Sequence, residues 1–244
     1  MDLSIVIPAY NESTRIRSTL DAVADYFSGA GASFEIIVVD DGSEDGTAGE
    51  VERWRDSRVG AAGAVRVASI AHQGKGAAVA AGVAAAAGGM VLMSDADLST
   101  PITEWPKFAK ELADGAKVVI GSRQAEGAKI ELRQPWLRQR LGLLFGRLAR
   151  ALFPMGVVDS QCGFKAFESA AAKDLFGALQ TSGFCFDVEL LLLARSRGIG
   201  ISEVPVRWIN HPDSKVRVWR DWPRVLYELW RIRRDLGRAG DGSR

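Results

Sequence analysis

Apolar positions in the first half of the chain follow two alternating rhythms. Short runs rich in β-branched residues and bounded by turn residues fall at Leu3–Ile7, Phe34–Val39, Val65–Ile70, Met90–Met93 and Lys117–Ile120, the pattern of strands buried on both faces. Between them the spacing changes to three and four. Ile16, Leu20, Val23 and Phe27 share one helical face behind a cap at Asn11 or Ser13; Thr47, Val51 and Trp54 predict a second helix, Ala77–Ala87 a third and Trp105–Leu112 a fourth. This βαβα alternation predicts an α/β fold with a mainly parallel central sheet and helices on both faces.

The second half is less regular. Its pattern predicts a helix over Trp136–Phe153, a turn-rich stretch over Asp159–Phe167, a helix over Phe186–Arg197, a strand over Ile201–Val206 and a last helix over Trp222–Leu236, followed by a frayed tail. No internal repeat or low-complexity linker interrupts it.

Composition adds limits. The chain has 244 residues, 47% apolar and 25% charged, enough to bury a large core without disulfides or a structural metal. Cys162 and Cys185 lack metal-ligand or CxxC spacing, so buried or idle thiols in a reducing compartment are expected. Met1 and Asp2 run directly into an apolar strand pattern with no basic leader, so a cytoplasmic location is expected. The uncharged stretch Gly76–Ser94 is mostly Ala and Gly and is split by Gly88-Gly89, which reads as a helix followed by a strand rather than a membrane span.

The net charge of +1 conceals a segregation: −7 over residues 1–128, +5 over 129–153, −2 over 154–214 and +5 over 215–238. Nucleic acid is not an expected partner, because the total is near neutral and no binding module accompanies the basic segments.

In open parallel sheets, ligands sit beyond the carboxyl ends of the strands. Four polar clusters fall there: Pro8-Ala9-Tyr10-Asn11-Glu12, Asp40-Asp41-Gly42-Ser43, Asp95-Ala96-Asp97 and Gly121-Ser122-Arg123. On an extended segment Asp95 and Asp97 point the same way and can hold a hard divalent cation bridging a diphosphate. Asp40 and Asp41 have two readings, hydrogen bonding to a base or ribose and capping of the following helix. Gly74-Lys75-Gly76 completes neither a Walker nor a dinucleotide fingerprint; its glycines suit tight helix packing, and Lys75 can neutralise phosphate. His72 and His211 stand in no catalytic or ligand spacing and are assigned ordinary polar roles.

Taken in order, these clusters resemble the successive motifs of family 2 inverting glycosyltransferases of the GT-A nucleotide-diphospho-sugar transferase fold. Asp159-Ser160-Gln161-Cys162-Gly163-Phe164-Lys165, Phe186-Asp187-Val188-Glu189, Glu203-Val204-Pro205-Val206-Arg207-Trp208 and Ser214-Lys215-Val216 are similar to the dolichyl-phosphate β-glucosyltransferase, or polyprenyl-phosphate glycosyltransferase, branch. The resemblance covers roughly residues 3–235. It implies that Pro8, Ala9, Tyr10, Glu12, Asp40 and Asp41 hold the donor nucleotide. Asp95 would support the ribose or the metal shell, and Asp97 would bind Mg²⁺ or Mn²⁺. Arg123 and Arg138 would meet phosphate, Asp159, Gln161 and Lys165 would lie at the acceptor, and Lys215 would close over the phosphates.

The implied reaction is transfer of glucose from UDP-glucose to a polyprenyl phosphate by a metal-dependent hexosyltransferase. Residues 1–214 would form the catalytic domain, with a donor and metal half (1–128) and an acceptor half (129–214), ahead of a basic amphipathic helix region (215–238) and a flexible tail (239–244). Asp97, Asp159, Arg123 and Lys215 are the candidate catalytic residues. Asp159 has three readings at this stage: base, acceptor-orienting group and turn cap. Ser99 stands where related mannosyltransferases often carry Gln, which argues against GDP-mannose as the donor. The membrane anchor of eukaryotic members is absent before Leu3, so attachment would be peripheral, or the acceptor would be a soluble molecule rather than a lipid. Trp and Leu interleave with Arg in both basic segments, as at an anionic membrane surface; packing on the catalytic domain or a homodimer contact would use the same faces. A non-catalytic nucleotide-sugar-binding partner of a membrane complex is the competing class.

Overall fold

The computed structural model describes residues 1–29, 31, 33–58, 63–132, 146, 148–210 and 225–235. Strands β1 (Leu3–Ala9), β2 (Phe34–Asp40), β3 (Ala64–Ser69), β4 (Met90–Met93), β5 (Val118–Ser122), β7 (Lys165–Glu168) and β8 (Ile201–Pro205) form one sheet in the order β3-β2-β1-β4-β7-β5-β8. All its pairings are parallel except those of β7, which runs antiparallel between β4 and β5. β6 (Lys129–Leu132) and β9 (Arg207–Ile209) make a separate parallel pair.

Side chains alternate between the two faces of the sheet, and both faces are covered, which is why the strands read as unbroken apolar runs. Ile5, Ile7, Ile36, Val38 and Leu92 face a cluster completed by α1 (Ile16–Ser28), α2 (Thr47–Ser57) and α4 (Trp105–Ala113). Val6, Ile37, Val39, Val91 and Met93 face the other, completed by α3 (Lys75–Ala85), α5 (Ser169–Gly177), α6 (Phe186–Ser196) and helical residues 225–235. The residues that predicted α1 and α2 are all buried. The small residues of α3 let it lie against the sheet: a Cβ on Gly82 would come within 2.3 Å of Val6.

Three expectations change. α1 begins after Arg15 with no side-chain cap, because the Glu12 carbonyl accepts the Ile16 N–H and a turn separates Asn11 and Ser13 from the helix. The turn-rich stretch ends in β7, and α5, β6 and β9 are additional elements. Most of the predicted helix Trp136–Phe153 lies outside the described residues, although 148–152 are helical. Cys162 and Cys185 are free and buried, as expected. Among the described residues no helix is long and apolar enough to cross a membrane.

Candidate active site

The strand order reverses between β1 and β4, and the carboxyl ends there open into a cleft of about 360 Å³. The predicted residues Pro8, Ala9, Tyr10, Glu12, Asp41, Lys75, Asp95 and Asp97 all line it. Because β1 pairs in parallel with both β2 and β4, the segments leaving all three strands emerge on one side, which explains how residues so distant in sequence converge.

Asp40 does not line the cleft; its carboxylate accepts the Ser43 hydroxyl and, at 3.3 Å, the Ser43 N–H. Asp41 is buried and accepts the backbone N–H groups of Gln73 at 2.8 Å and Gly74 at 2.9 Å. It therefore holds the loop that leads into α3 rather than capping a helix: neither α2, which starts from Gly46 in a left-handed conformation (φ 82°), nor α3, which starts from Gly74, has a side-chain cap hydrogen bond. The capping reading of Asp40 and Asp41 is not what the structure shows.

Lys75, the first residue of α3, places Nζ 2.6 Å from Asp95 Oδ1. Burial alone would lower the Lys75 pKa and raise that of Asp95, but their mutual attraction outweighs it, with Lys75 raised and Asp95 lowered. The backbone of Gly163 presses against this carboxylate so closely that a Cβ there would sit 1.8 Å from Asp95 Oδ2. The Asp95–Asp97 segment turns rather than continuing extended: Leu98 N–H reaches the Asp95 carbonyl at 3.1 Å, and Leu98 holds φ at 46°. Such a conformation is costly for a branched residue and is typical of functional loops. Asp97 Oδ1 accepts the Ser99 N–H at 2.9 Å.

Arg123 binds Asp159 through Nε (2.7 Å), Nη2 (2.8 Å) and its own backbone N–H (2.9 Å). Trp208 lies over the guanidinium at 5.7 Å. Burial pushes the Asp159 carboxyl up, but the Arg123 hydrogen bonds and charge bring it below its ordinary value. A carboxylate so engaged is a poor proton acceptor, and neither Asp159 nor Arg123 nor Gln161 lines the cleft, so the geometry bears out the turn-cap reading of Asp159 and gives no support to the base reading. Asp159 Oδ1 also accepts the Gln161 N–H at 3.3 Å, which closes the turn. Gln161 Nε2 is buried with no hydrogen-bond partner among the described residues.

Lys165 was expected at the acceptor. It is instead fully buried, with Nζ 2.7 Å from Asp187 Oδ1 and 2.6 Å from the Cys162 carbonyl. Its ammonium anchors the Asp159–Gly163 turn to α6 rather than facing the cleft. Burial raises the Asp187 carboxyl above its ordinary value, against the opposing pull of Lys165 and Lys75. Arg138 and Lys215 lie outside the described residues.

The cleft also gathers residues that no motif indicated. His72 stacks on Tyr10 with ring centroids 4.2 Å apart, and Phe184, Val225 and Glu228 also line the cleft. Glu228 lies inside a segment that reads as basic and amphipathic, and its carboxylate accepts the Cys185 N–H at 3.1 Å. The three- and four-residue spacing of Val225, Glu228, Leu229 and Ile232 was the available signal that this helix packs inward.

Among the described residues no three His, Cys, Asp or Glu side chains converge as a metal cage. Asp97, a cleft carboxylate, has the chemistry of a hard-cation ligand, which takes one or two carboxylates and fills its shell with other oxygens, whereas Asp95 Oδ1 is engaged by Lys75.

Residues 4–176 match the family model described as Glycosyl transferase family 2. Among curated proteins, the chain is 39% identical over 227 residues to Dolichyl-phosphate beta-glucosyltransferase ALG5C of Trichomonas vaginalis, covering 88% of this chain and 66% of that protein. It is 36% identical over 258 residues to the Dolichyl-phosphate beta-glucosyltransferase of Drosophila melanogaster (95% and 78% covered) and 31% identical over 242 residues to that of Homo sapiens (95% and 74%). Among solved structures, glucosyl-3-phosphoglycerate synthase from Mycobacterium tuberculosis, in complex with Mn²⁺, UDP-glucose and phosphoglyceric acid, superposes with a TM-score of 0.69 at 21% identity, covering 95% of this chain and 79% of that one. A mannosyltransferase from Pyrobaculum calidifontis, in complex with GDP-Man and Mn²⁺, gives 0.60 at 21% identity, covering 89% and 59%. These two share the fold.

Proposed function

The chain belongs to glycosyl transferase family 2, and we propose that within it the protein moves glucose from UDP-glucose, with inversion, to a polyprenyl phosphate of the dolichyl type. The observation that carries this reading is the convergence of Tyr10, Lys75, Asp95 and Asp97 on one cleft at the reversal of strand order. The acceptor class comes from the relatives named above, and the donor is the one bound to the mycobacterial neighbour.

In this reading a phosphate oxygen of the acceptor attacks the anomeric carbon, the bond from that carbon to the diphosphate breaks, and UDP leaves. The acceptor is already anionic near neutral pH, so no strong base is required, which agrees with an Asp159 held by Arg123. Arg123, held by Asp159, and Gln161, whose Nε2 has no hydrogen-bond partner among the described residues, are proposed to meet the acceptor phosphate. Lys75 keeps Asp95 in place. Arg138 and Lys215 are proposed as further phosphate contacts. Mg²⁺ or Mn²⁺, held by Asp97 and Asp95, would supply neutralisation of the charge that develops on the departing diphosphate.

The acceptor lipid calls for a peripheral membrane contact. Residues 225–235 turn Leu226, Tyr227 and Trp230 outward beside exposed Arg233 and Arg234, the mixture that suits an anionic interface.

The test is a donor panel on phospholipid vesicles with and without polyprenyl phosphate. Glucosyl transfer from UDP-glucose that requires the lipid phosphate is expected. Transfer from GDP-mannose instead, transfer to a water-soluble acceptor, or nucleotide binding without any turnover would each overturn the reading.

A further inference from the structure

The family resemblance implies that Asp41 holds the donor nucleotide, yet both of its carboxylate oxygens are engaged by the loop that follows β3. Oδ1 takes the Gln73 N–H and Oδ2 takes the Gly74 N–H. The same residue also holds His72: Nδ1 lies 2.9 Å from Asp41 Oδ2 and 3.0 Å from the Asp41 carbonyl.

Neither of those oxygens can donate, so Nδ1 must carry the ring proton. In the neutral imidazole the other nitrogen, Nε2, is then a bare acceptor, and among the described residues it has no partner. The ring is held in place by its neighbours as well. It stacks on Tyr10 with an interplanar angle of 22°, and Gly42 lies so close that a Cβ there would come within 2.8 Å of the His72 backbone nitrogen. Gly42 also needs its left-handed φ of 71°. Despite this restraint the His72 side chain remains 51% exposed and lines the cleft beside Tyr10. A ring fixed at one edge by Asp41 and on one face by Tyr10, on a backbone packed against Gly42, with an acceptor at its open edge that has no partner among the described residues, is arranged to present that acceptor.

We propose that His72 is a specificity-determining residue that reads the nucleobase of the donor, accepting on Nε2 a hydrogen bond from a ring N–H flanked by carbonyl groups, as in uracil. The assignment rests on the nucleotide-sugar reading of the cleft and deepens it. Asp41 acts one step back, as the positioning residue that fixes the tautomer. Cytosine offers a lone pair at the equivalent ring position, which would face the Nε2 lone pair and be rejected.

The experiment is calorimetric titration of UDP and CDP, each alone with Mn²⁺, into the wild-type protein, His72→Phe and His72→Gln. Phe keeps an aromatic ring on Tyr10 without the acceptor, and Gln restores a carbonyl acceptor. The wild type is expected to prefer UDP. His72→Phe is expected to lose about tenfold in UDP affinity, about 1.4 kcal/mol, with CDP changed less than twofold, and His72→Gln to keep a UDP preference. An unchanged UDP affinity in His72→Phe, or an equal loss for both nucleotides, overturns the assignment while leaving the donor reading intact. Should His72→Phe fail to fold, a His72→Gln protein that binds the two nucleotides equally overturns it as well. A wild-type protein that binds neither nucleotide overturns the donor reading and this assignment with it.

Discussion

Arg123 and Asp159 meet at three points, with two guanidinium nitrogens and the Arg123 backbone N–H converging on one buried carboxylate. The pair ties the end of β5 to the turn before β7. Removing one partner of such a pair strands the other, at a cost of about 3 kcal/mol or more. Asp159→Asn is therefore expected to lower the melting temperature at pH 7 by several degrees and to reduce glucosyl transfer by at least tenfold. The pH dependence follows in sign. Asp159 is held below its ordinary value of 3.8, so the folded protein binds fewer protons there than the unfolded chain. Its stabilisation is complete above the unfolded carboxylate range and disappears as pH falls through the folded value. Calorimetric melting between pH 7 and pH 3 should show a smaller acid-side decline in Asp159→Asn than in the wild type; parallel declines would remove this role.

Gly163→Ala tests how Asp95 is held. The added methyl would lie 1.8 Å from Asp95 Oδ2, so either the carboxylate leaves Lys75 or the turn shifts. Overpacking of this kind costs about 1–3 kcal/mol. Because the atom displaced belongs to the cleft, the expected loss of activity is about tenfold or more, accompanied by weaker UDP binding in calorimetry. Wild-type kinetics in this variant would show that the contact relaxes without consequence.

The parallel strands and their polar carboxyl ends were legible because both faces of the sheet are covered, which leaves short, unbroken apolar runs that stop at polar residues. β7 was not. Lys165–Glu168 pairs only with strands far away in sequence, and its four residues follow a turn with no alternation of their own to separate them. α5 did carry a signal, since Ala171, Ala172, Leu175 and Phe176 share one buried face, but alanine contributes little contrast. Within the site, residues adjacent to strand ends were found and residues delivered by loops were not. His72 is an isolated histidine whose significance depends on Asp41 and Tyr10, and Lys165 looks like a phosphate ligand until its burial against Asp187 is seen.

Chelation should separate the two acidic residues of the β4 turn. Among the described residues Asp97 accepts one hydrogen bond, from the Ser99 N–H, whereas Asp95 is tied to Lys75. Asp97→Asn keeps an oxygen for that bond while losing the charge, so its melting temperature is expected to stay within about 2 °C of wild type, as for changes of a few tenths of a kcal/mol. Its glucosyl transfer is expected to fall at least 100-fold, and EDTA is expected to abolish wild-type transfer in a way that Mn²⁺ or Mg²⁺ restores. Mn²⁺ binding in the presence of UDP, followed by electron paramagnetic resonance, should weaken in Asp97→Asn. Full activity in the variant, or activity indifferent to EDTA, would rule out the metal assignment.

The outward face of residues 225–235 gives the membrane reading a test independent of catalysis. Tyr227 and Trp230 are 59% and 55% exposed, their rings lie 6.0 Å apart, and Arg234 sits 5.2 Å over Trp230. The inward face holds Leu229 and Ile232 in the core and Glu228 on Cys185. Folding is thus secured by one side of the helix, and substitutions on the other should leave stability within about 0.5 kcal/mol. Tyr227→Ser with Trp230→Ser is expected to reduce flotation with phosphatidylserine vesicles severalfold at low salt, with the melting temperature unchanged. Wild-type binding itself should weaken as salt shortens the reach of Arg233 and Arg234. A dimer contact would behave differently: the same double variant would shift the oligomeric state in analytical ultracentrifugation while flotation was absent from the start. Flotation that persists undiminished in the double variant would move the membrane contact elsewhere on the protein.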